Sequence, residues 1–300
     1  MQKCLHSTRR NKKRRKGKTL LLLCCLTMMC VAVYSKTNDE HVAVNLGNTM
    51  YLSISEKDKD EMMYTQAGDT SGEKEKMNNL DLENAKSDFV TQNKDFSGIV
   101  VDEIKVLETN GNISKMPLEN YVLGCLVGEM PLSFHPQALM AQCVAIRSFT
   151  VQKIFGKSKH KNADICTNPA CCQYYIQPSK SGYSEEMLDK AKSCVEATKD
   201  IVCVYDSQVI NAVYHASSAY NTKNSGDVWY GDVEYLKSVP SPQGEAQICS
   251  ARYGEDGGHG VGLSQQGANL LACEGYSYLD ILKYYYSGIG FEMIRSNGAM

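Results

Sequence analysis

Proline is scarce in this 300-residue chain, which has 7, and tryptophan occurs once against 6 phenylalanines. So little proline excludes a collagen-like or mucin-like chain, and a hydrophobic fraction of 43% excludes one that is disordered throughout. The sequence also lacks internal repeats, which excludes a solenoid. What remains is an ordinary globular composition, sufficient for one large domain or two modest ones with a real core.

Acidic residues are absent from residues 1–18, which carry nine lysines and arginines, although the whole chain has a net charge of -2. The other 282 residues therefore sum to -11. A nucleic-acid-binding protein would carry its positive charge on the folded part, and here that part is acidic. We therefore expect no nucleic-acid partner.

Charge is likewise absent from residues 19–35, which are mostly apolar. A basic segment followed by an apolar one is typical of a signal peptide or signal anchor, and this run is just long enough to span a bilayer. We predict a basic cytoplasmic tail (1–18), a signal anchor (19–35) and an extracytoplasmic remainder, which makes a single-pass cell membrane protein. Cleavage after Ser35 is the alternative.

Residues 36–98 hold 13 acidic groups and 7 lysines without lasting apolar periodicity, so we predict a flexible tether there. Beyond it, residues 99–300 combine helical and strand patterns, which indicates an α+β domain. Helices are predicted at 117–130, 136–153, 185–198, 265–274 and 278–286, with Ser133, Ser264 and Ser277 as N-caps, and a hairpin is predicted from 201–205 and 209–216.

Glu129 ends the first predicted helix on the same stripe as Leu118, Val122 and Leu126. A partly desolvated carboxyl has a raised pKa, which suits a general acid near neutral pH. The alternatives are a carboxyl buried against a cation and a helix-end glutamate that faces water. Arg147 leaves an apolar helix face, and such an arginine either extends to the solvent or binds an anion.

Of 13 cysteines, nine follow the predicted anchor, and an odd number argues against a complete disulfide framework. His160, Cys166 and Cys172 follow one another at spacings of six, which suits a loop that binds zinc. A Cys166–Cys172 disulfide is the competing interpretation. A fourth ligand is not evident, and Cys171 or a water are the candidates.

A glycine-rich segment covers residues 257–268. It is not a dinucleotide-binding loop, because Gln265 stands where the third glycine belongs, and it is not a P-loop, because no Gly-Lys-Ser/Thr follows. The glycines around His259 instead allow a close approach of the backbone to another group.

These motifs together, in this order, resemble the stage II sporulation protein D family. The resemblance covers about residues 115–290. The matching segments are 117–131, 138–148, 164–175, 215–218, 227–239, 258–265 and 281–286.

The resemblance implies a peptidoglycan lytic transglycosylase that acts during engulfment of the forespore. Such an enzyme cleaves the bond between N-acetylmuramic acid and N-acetylglucosamine and leaves a 1,6-anhydro end. The resemblance makes Glu129 the general acid and base. It places substrate contacts at Arg147, Gln142, Ser218, Thr222, Tyr235, Lys237, His259, Ser264 and Gln265.

Some members of the family resemble this chain in His160, Cys166 and Cys172 and bind zinc there, so the resemblance also implies zinc. The implied partners are glycan strands stripped of stem peptides, the sporulation amidase called stage II sporulation protein P, and the membrane protein called stage II sporulation protein M. The chain departs from the family pattern at Met140, Ala219, Tyr220, Lys223 and Gln266.

Three other functions compete with this interpretation. One is a non-catalytic glycan-binding protein that enhances a cell-wall amidase. A zinc hydrolase is disfavoured because no HExxH helix is present and two thiolates make a weak Lewis acid. A cysteine peptidase that uses Cys143 and His259 is disfavoured because Cys143 lies in the middle of a helix on its core stripe.

Overall fold

A computed structural model describes residues 96–156, 158–229 and 231–296. The predicted tail (1–18), the anchor (19–35) and the tether as far as residue 95 lie outside the described residues. Within those three ranges, no helix is both long and apolar enough to cross a membrane. The mixed α+β class is confirmed for the described part.

Short strands alternate with helices along the chain. The helices are α1 (Leu118–Glu129), α2 (Pro136–Phe155), α3 (Glu185–Ala197), α4 (Ser225–Val228), α5 (Glu245–Tyr253), α6 (Gln265–Cys273) and α7 (Tyr278–Tyr285). The strands are β1 (Phe96–Val100), β2 (Glu103–Leu107), β3 (Ile113–Pro117), β4 (Ile165–Cys166), β5 (Ile201–Tyr205), β6 (Gln208–Val209), β7 (Tyr214–His215), β8 (Leu263–Ser264) and β9 (Gly290–Arg295).

The strands form three small sheets, with orders β1-β9-β5-β6, β3-β2-β4 and β7-β8. The predicted hairpin is right only in its first part. Asp206 and Ser207 have φ values of 48° and 57°, which gives the tight two-residue turn that joins β5 to β6. The second strand then ends at Val209, and Tyr214 and His215 pair in parallel with Leu263 and Ser264 instead.

Two of the three predicted N-cap residues are confirmed at the starts of their helices. Ser264 and Ser277 are N-caps as predicted, and Ser277 forms a capping box with Asp280. The predicted N-cap Ser133 is wrong, because His135 takes that position and its Nδ1 accepts a hydrogen bond from the Gln137 N–H at 3.2 Å. The elements that were not predicted are the strands β1, β2, β3, β4, β8 and β9 and the helices α4 and α5.

Helix α2 lies at the centre of the fold and packs against α1, α3, α6, α7 and β5. Arg147 on this helix is fully buried. Its Nε and Nη2 donate to the two carboxylate oxygens of Glu119 at 2.9 and 2.6 Å, and Nη1 donates to the Ile201 carbonyl at 3.1 Å. Arg147 therefore ties α1, α2 and β5 together. The substrate contact predicted at Arg147 stays a prediction, and the structure places this guanidinium in the interior, paired with Glu119.

Candidate functional site

The segment that we call the cysteine loop (residues 160–176) runs back along α1. Tyr121 Oη donates to the Cys166 carbonyl at 3.1 Å, and the Ile176 N–H donates to the Gly124 carbonyl at 3.0 Å. The rings of Tyr121 and Tyr175 stack with their centroids 5.7 Å apart. These contacts fix the loop against the helix that ends in Glu129.

Glu129 is the last residue of α1 and is half-buried. Its Oε1 accepts a hydrogen bond of 2.6 Å from the main-chain N–H of Tyr174. At Gly128 a Cβ would lie 2.5 Å from the Tyr174 carbonyl oxygen, so this close approach requires glycine. The Glu129 carboxyl is therefore partly shielded from water.

Four residues of the cysteine loop bring metal-binding atoms together. The ligand atoms of His160, Cys166, Cys171 and Cys172 all lie within 4.8 Å of one another. His160 Nε2 is 3.4 Å from Cys172 Sγ and 3.7 Å from Cys171 Sγ, and the latter two sulfurs are 3.9 Å apart. Tetrahedral zinc with thiolate and imidazole ligands places ligand atoms about 3.5–3.8 Å apart, so the cluster fits such an ion.

The structure adds Cys171 to the three ligands predicted from spacing. The competing Cys166–Cys172 disulfide is not formed, since both thiols are free. The Cys172 thiol donates a hydrogen bond to Cys166, which lowers the pKa of Cys166 to about 5 and raises that of Cys172. One thiolate is therefore favoured at neutral pH, as a cation site requires.

The cysteine loop also links Glu129 to the strand β7. Gln173 accepts from Thr150 Oγ1 at 3.0 Å and donates from Nε2 to Tyr214 Oη at 3.1 Å. The consecutive residues Cys172, Gln173 and Tyr174 thus contact the metal cluster, the strand β7 and the Glu129 carboxyl.

Two histidines meet at the end of β7. The Nδ1 of His215 lies 3.2 Å from the Val261 carbonyl, and its Nε2 lies 2.6 Å from Ser218 Oγ. A carbonyl only accepts, so Nδ1 carries the proton and Nε2 accepts from the Ser218 hydroxyl. The Val261 N–H in turn donates to Nδ1 of His259 at 3.0 Å. Burial lowers the pKa of His215 to about 3 and that of His259 to about 4, so both rings are neutral at neutral pH.

Glu245 is a site residue that the sequence analysis missed. It is fully buried at the start of α5, and its Oε1 accepts from the Ser218 N–H at 2.7 Å, from Ser217 Oγ at 3.3 Å and from Ser264 Oγ. Burial raises the pKa of this carboxyl. Its neighbours in the sequence form no motif, so only the tertiary structure identifies it.

Ser218 and Ser264, two of the predicted substrate contacts, are therefore brought together, but around Glu245 rather than on an open surface. Both serines are fully buried. A third predicted contact, His259, lies beside them, because its ring centroid is 5.7 Å from that of His215 and 4.8 Å from that of Trp229. Trp229 is 39% exposed, so the group formed by His215, His259 and Trp229 extends to the protein surface.

A cavity of about 540 Å³ opens between the loop after β7 and α5. Lys223 forms an ion pair of 2.8 Å with Asp256 at its wall. Three of the departures from the family pattern, Ala219, Tyr220 and Lys223, line this cavity together with the predicted contact Thr222.

The remaining predicted contacts lie in other surroundings. Gln142 is fully buried in α2, and neither of its amide atoms has a hydrogen-bond partner among the described residues. Gln265 is nearly buried at the start of α6. Tyr235 is half-buried, and its Oη accepts a hydrogen bond from the Asn211 N–H at 3.0 Å. Lys237 Nζ lies 3.7 Å from Glu234 Oε1. Only Tyr235 and Lys237 of these four keep a substantial exposed part.

Comparisons with known proteins match this same part of the chain. A family model described as stage II sporulation protein matches residues 108–205, which include Glu129 and the whole cysteine loop. Stage II sporulation protein D of Bacillus subtilis is 27% identical over 60% of this chain and 75% of its own length. The protein of the same name from Bacillus amyloliquefaciens is 25% identical over 60% of this chain and 76% of its own.

A protein of Bacillus subtilis named amidase enhancer is 31% identical, but over 40% of this chain and 15% of its own length. The similarity to the two sporulation proteins therefore extends over most of their length, whereas the similarity to the amidase enhancer covers only a small part of that protein. Residues 108–205 thus match the stage II sporulation protein family model, and the chain is similar to stage II sporulation protein D of two Bacillus species.

Proposed function

We propose that this protein is a peptidoglycan lytic transglycosylase that acts on the cell wall during sporulation, with Glu129 as its general acid and base. The similarity to the stage II sporulation protein D family supports the cell-wall-related role in sporulation. The observation that carries the catalytic assignment is the hydrogen bond from the Tyr174 N–H to Glu129 Oε1. It holds a single half-buried carboxyl in one orientation.

In the proposed reaction, the proton on Glu129 Oε2 goes to the oxygen that leaves when the bond between N-acetylmuramic acid and N-acetylglucosamine breaks. The carboxylate then takes the proton of the muramic C6 hydroxyl as that oxygen attacks C1, which closes the 1,6-anhydro ring. No water is consumed, so one carboxyl performs both proton transfers. Most glycosidases need two carboxylates. The Tyr174 N–H stabilises the carboxylate between the two transfers.

The metal centre is proposed to be zinc, held by His160, Cys166, Cys171 and Cys172. With three sulfur ligands and no open position the ion would be structural and would cross-link the cysteine loop. Since Tyr174 follows Cys172 by two residues, this cross-link would fix the N–H that orients Glu129.

The remaining assignments are proposals on the same basis. Thr222, Tyr235, Lys237 and His259 are the predicted substrate contacts that keep a cavity or surface position. The substrate is proposed to be a glycan strand stripped of its stem peptides. The protein is proposed to be a single-pass membrane protein whose domain lies outside the cytoplasm, with stage II sporulation proteins P and M as partners.

The test is to incubate the purified full-length protein with glycan strands, with and without stem peptides, and to analyse the ends by mass spectrometry. We expect ends lighter than hydrolytic ends by the mass of one water, absent with Glu129→Gln and unchanged with Glu186→Gln, an exposed glutamate on α3. Ordinary reducing ends would instead mean a hydrolase. Binding without cleavage would favour a glycan-binding role like that suggested by the name of the amidase enhancer relative.

A further inference from the structure

Glu245 joins two segments that are distant in the sequence. Its Oε1 accepts hydrogen bonds from Ser217 and Ser218, which follow β7, and from Ser264, which caps α6. The loop after β7 and the start of α6 are therefore held by one carboxylate oxygen. Burying a carboxyl in this way costs free energy unless its partners compensate.

The other oxygen of this carboxyl is not compensated. Among the described residues, Glu245 Oε2 is buried without a hydrogen-bond partner, and so is Tyr285 Oη. A Cβ at Gly267 would lie 2.5 Å from Oε2 and 2.1 Å from Tyr285 Oη, so glycine keeps the space between these groups open. A buried, half-satisfied carboxyl is rare in native structures and calls for a functional reason.

Hydrogen bonds link this carboxyl through Ser218, His215 and Val261 to His259, and a ring contact links His259 to the exposed Trp229. Ser218 donates its N–H to Glu245 and its hydroxyl to His215, and His215 donates to the carbonyl of Val261. The N–H of the same valine donates to His259, whose ring packs against Trp229. Each member of the series fixes the orientation of the next.

We propose that Glu245 is a positioning residue for a saccharide-binding surface formed by Trp229 and His259. The surface offers a partly exposed indole for stacking on a sugar ring, and that indole packs against an imidazole held in place by its own hydrogen bonds. The sugar as ligand rests on the proposed function, whereas the positioning by Glu245 rests on the hydrogen bonds alone.

Trp229 makes the proposal measurable, because it is the single tryptophan of the chain. Its fluorescence reports on this surface without a label. We would titrate the full-length wild type, Glu245→Ala, Glu245→Gln and the exposed control Glu186→Gln with peptide-free glycan oligosaccharides. Circular dichroism melts would show which variants are folded.

We expect Glu245→Ala to shift the Trp229 emission and weaken glycan binding about tenfold or more, as misplacement of a binding group does. Glu245→Gln should bind nearly as well as the wild type, because the amide oxygen still accepts from Ser218 and the amide NH₂ can donate to Tyr285 Oη. Unchanged emission and affinity in folded Glu245→Ala would overturn the proposal. So would equal loss in both variants, which would indicate a purely structural role.

If the wild type itself binds no glycan, the saccharide and the proposed function fail together. The positioning is then decided by the ring-nitrogen NMR signals of His215. A change of its tautomer or hydrogen bonding in Glu245→Ala, with Glu245→Gln unchanged, would support it. Identical His215 signals in all variants would refute it.

Discussion

The main-chain N–H of Tyr174 donates a hydrogen bond of 2.6 Å to the carboxylate of Glu129. Tyr174 follows Cys172, one of the four residues whose ligand atoms cluster, by two positions. The orientation of the carboxyl therefore depends on the conformation of a loop that a metal ion would hold. The cluster of His160, Cys166, Cys171 and Cys172 is thus connected to the Glu129 carboxyl through the backbone.

The first prediction concerns removal of the metal. The purified protein should contain about one zinc ion per chain by metal analysis, and Cys172→Ser should lose most of it because the four-ligand set is broken. Glycan cleavage should fall with the zinc content, because the loop that carries the Tyr174 N–H is no longer fixed. Both quantities should be measured on the same preparations.

The matched control is Cys273→Ser, because this cysteine is exposed and lies outside the cluster. It should leave both zinc content and cleavage unchanged. A Cys172→Ser protein without zinc that cleaves at the wild-type rate would show that the metal does not support Glu129.

The second prediction tests the close approach of the cysteine loop to α1. Gly128→Ala would place its Cβ 2.5 Å from the Tyr174 carbonyl oxygen, so the loop must shift and the Tyr174 N–H with it. We expect cleavage to drop about tenfold to a hundredfold. Gly290→Ala is the control, since its Cβ would make an ordinary contact of 3.6 Å. Equal rates in both variants would argue against a role for the Tyr174 hydrogen bond.

The third prediction concerns the buried pair of Arg147 and Glu119. Arg147→Met leaves the Glu119 carboxylate buried without its cation, so the free energy of unfolding should fall by about 3–5 kcal/mol. The double variant Glu119→Leu/Arg147→Met removes both charges and should regain most of that loss. Urea denaturation measures both. If the double variant is as unstable as Arg147→Met, the loss of stability does not come from the unpaired charge of Glu119. The hydrogen bonds of the pair would then stabilise the fold themselves.

Local signals in the sequence were sufficient for much of the fold. The boundaries of α1 and α3, the caps Ser264 and Ser277 and the turn at Asp206 and Ser207 depend on residues a few positions apart. The cluster of candidate metal ligands could also be found from the sequence, because its four residues lie within 13 positions of one another. Only the inclusion of Cys171 required three-dimensional geometry.

Long-range pairing is what the sequence did not reveal. Nothing near His215 indicates that its strand pairs with residues 263–264 rather than with β5. Arg147 donates hydrogen bonds to Glu119, which lies 28 positions earlier in the sequence. Glu245 accepts one from Ser218, which lies 27 positions earlier. A buried polar group is defined by its partners, so its role became visible only when the partners were placed.

The last prediction concerns pH and the two neutral histidines. In the folded protein the pKa is about 3 for His215 and about 4 for His259, whereas an unfolded histidine has a pKa of about 6.5. Between these values the unfolded chain binds more protons than the folded one, so the free energy of unfolding decreases as the pH falls below about 6.5. By about pH 4.5 the loss should reach about 2–3 kcal/mol for each histidine.

Other groups also titrate in this range, and the raised pKa of Glu245 acts in the opposite direction, so the comparison must be made between variants. His215→Asn can still donate to the Val261 carbonyl, and His259→Asn can still accept from the Val261 N–H, but neither takes up a proton. Urea denaturation at pH 7 and about pH 4.5 should show a smaller loss of stability in each variant than in the wild type. Because all three proteins keep the four candidate metal ligands, a bound zinc ion lost at low pH would affect them equally. An identical pH dependence in all three would mean that these histidines are not held neutral by burial.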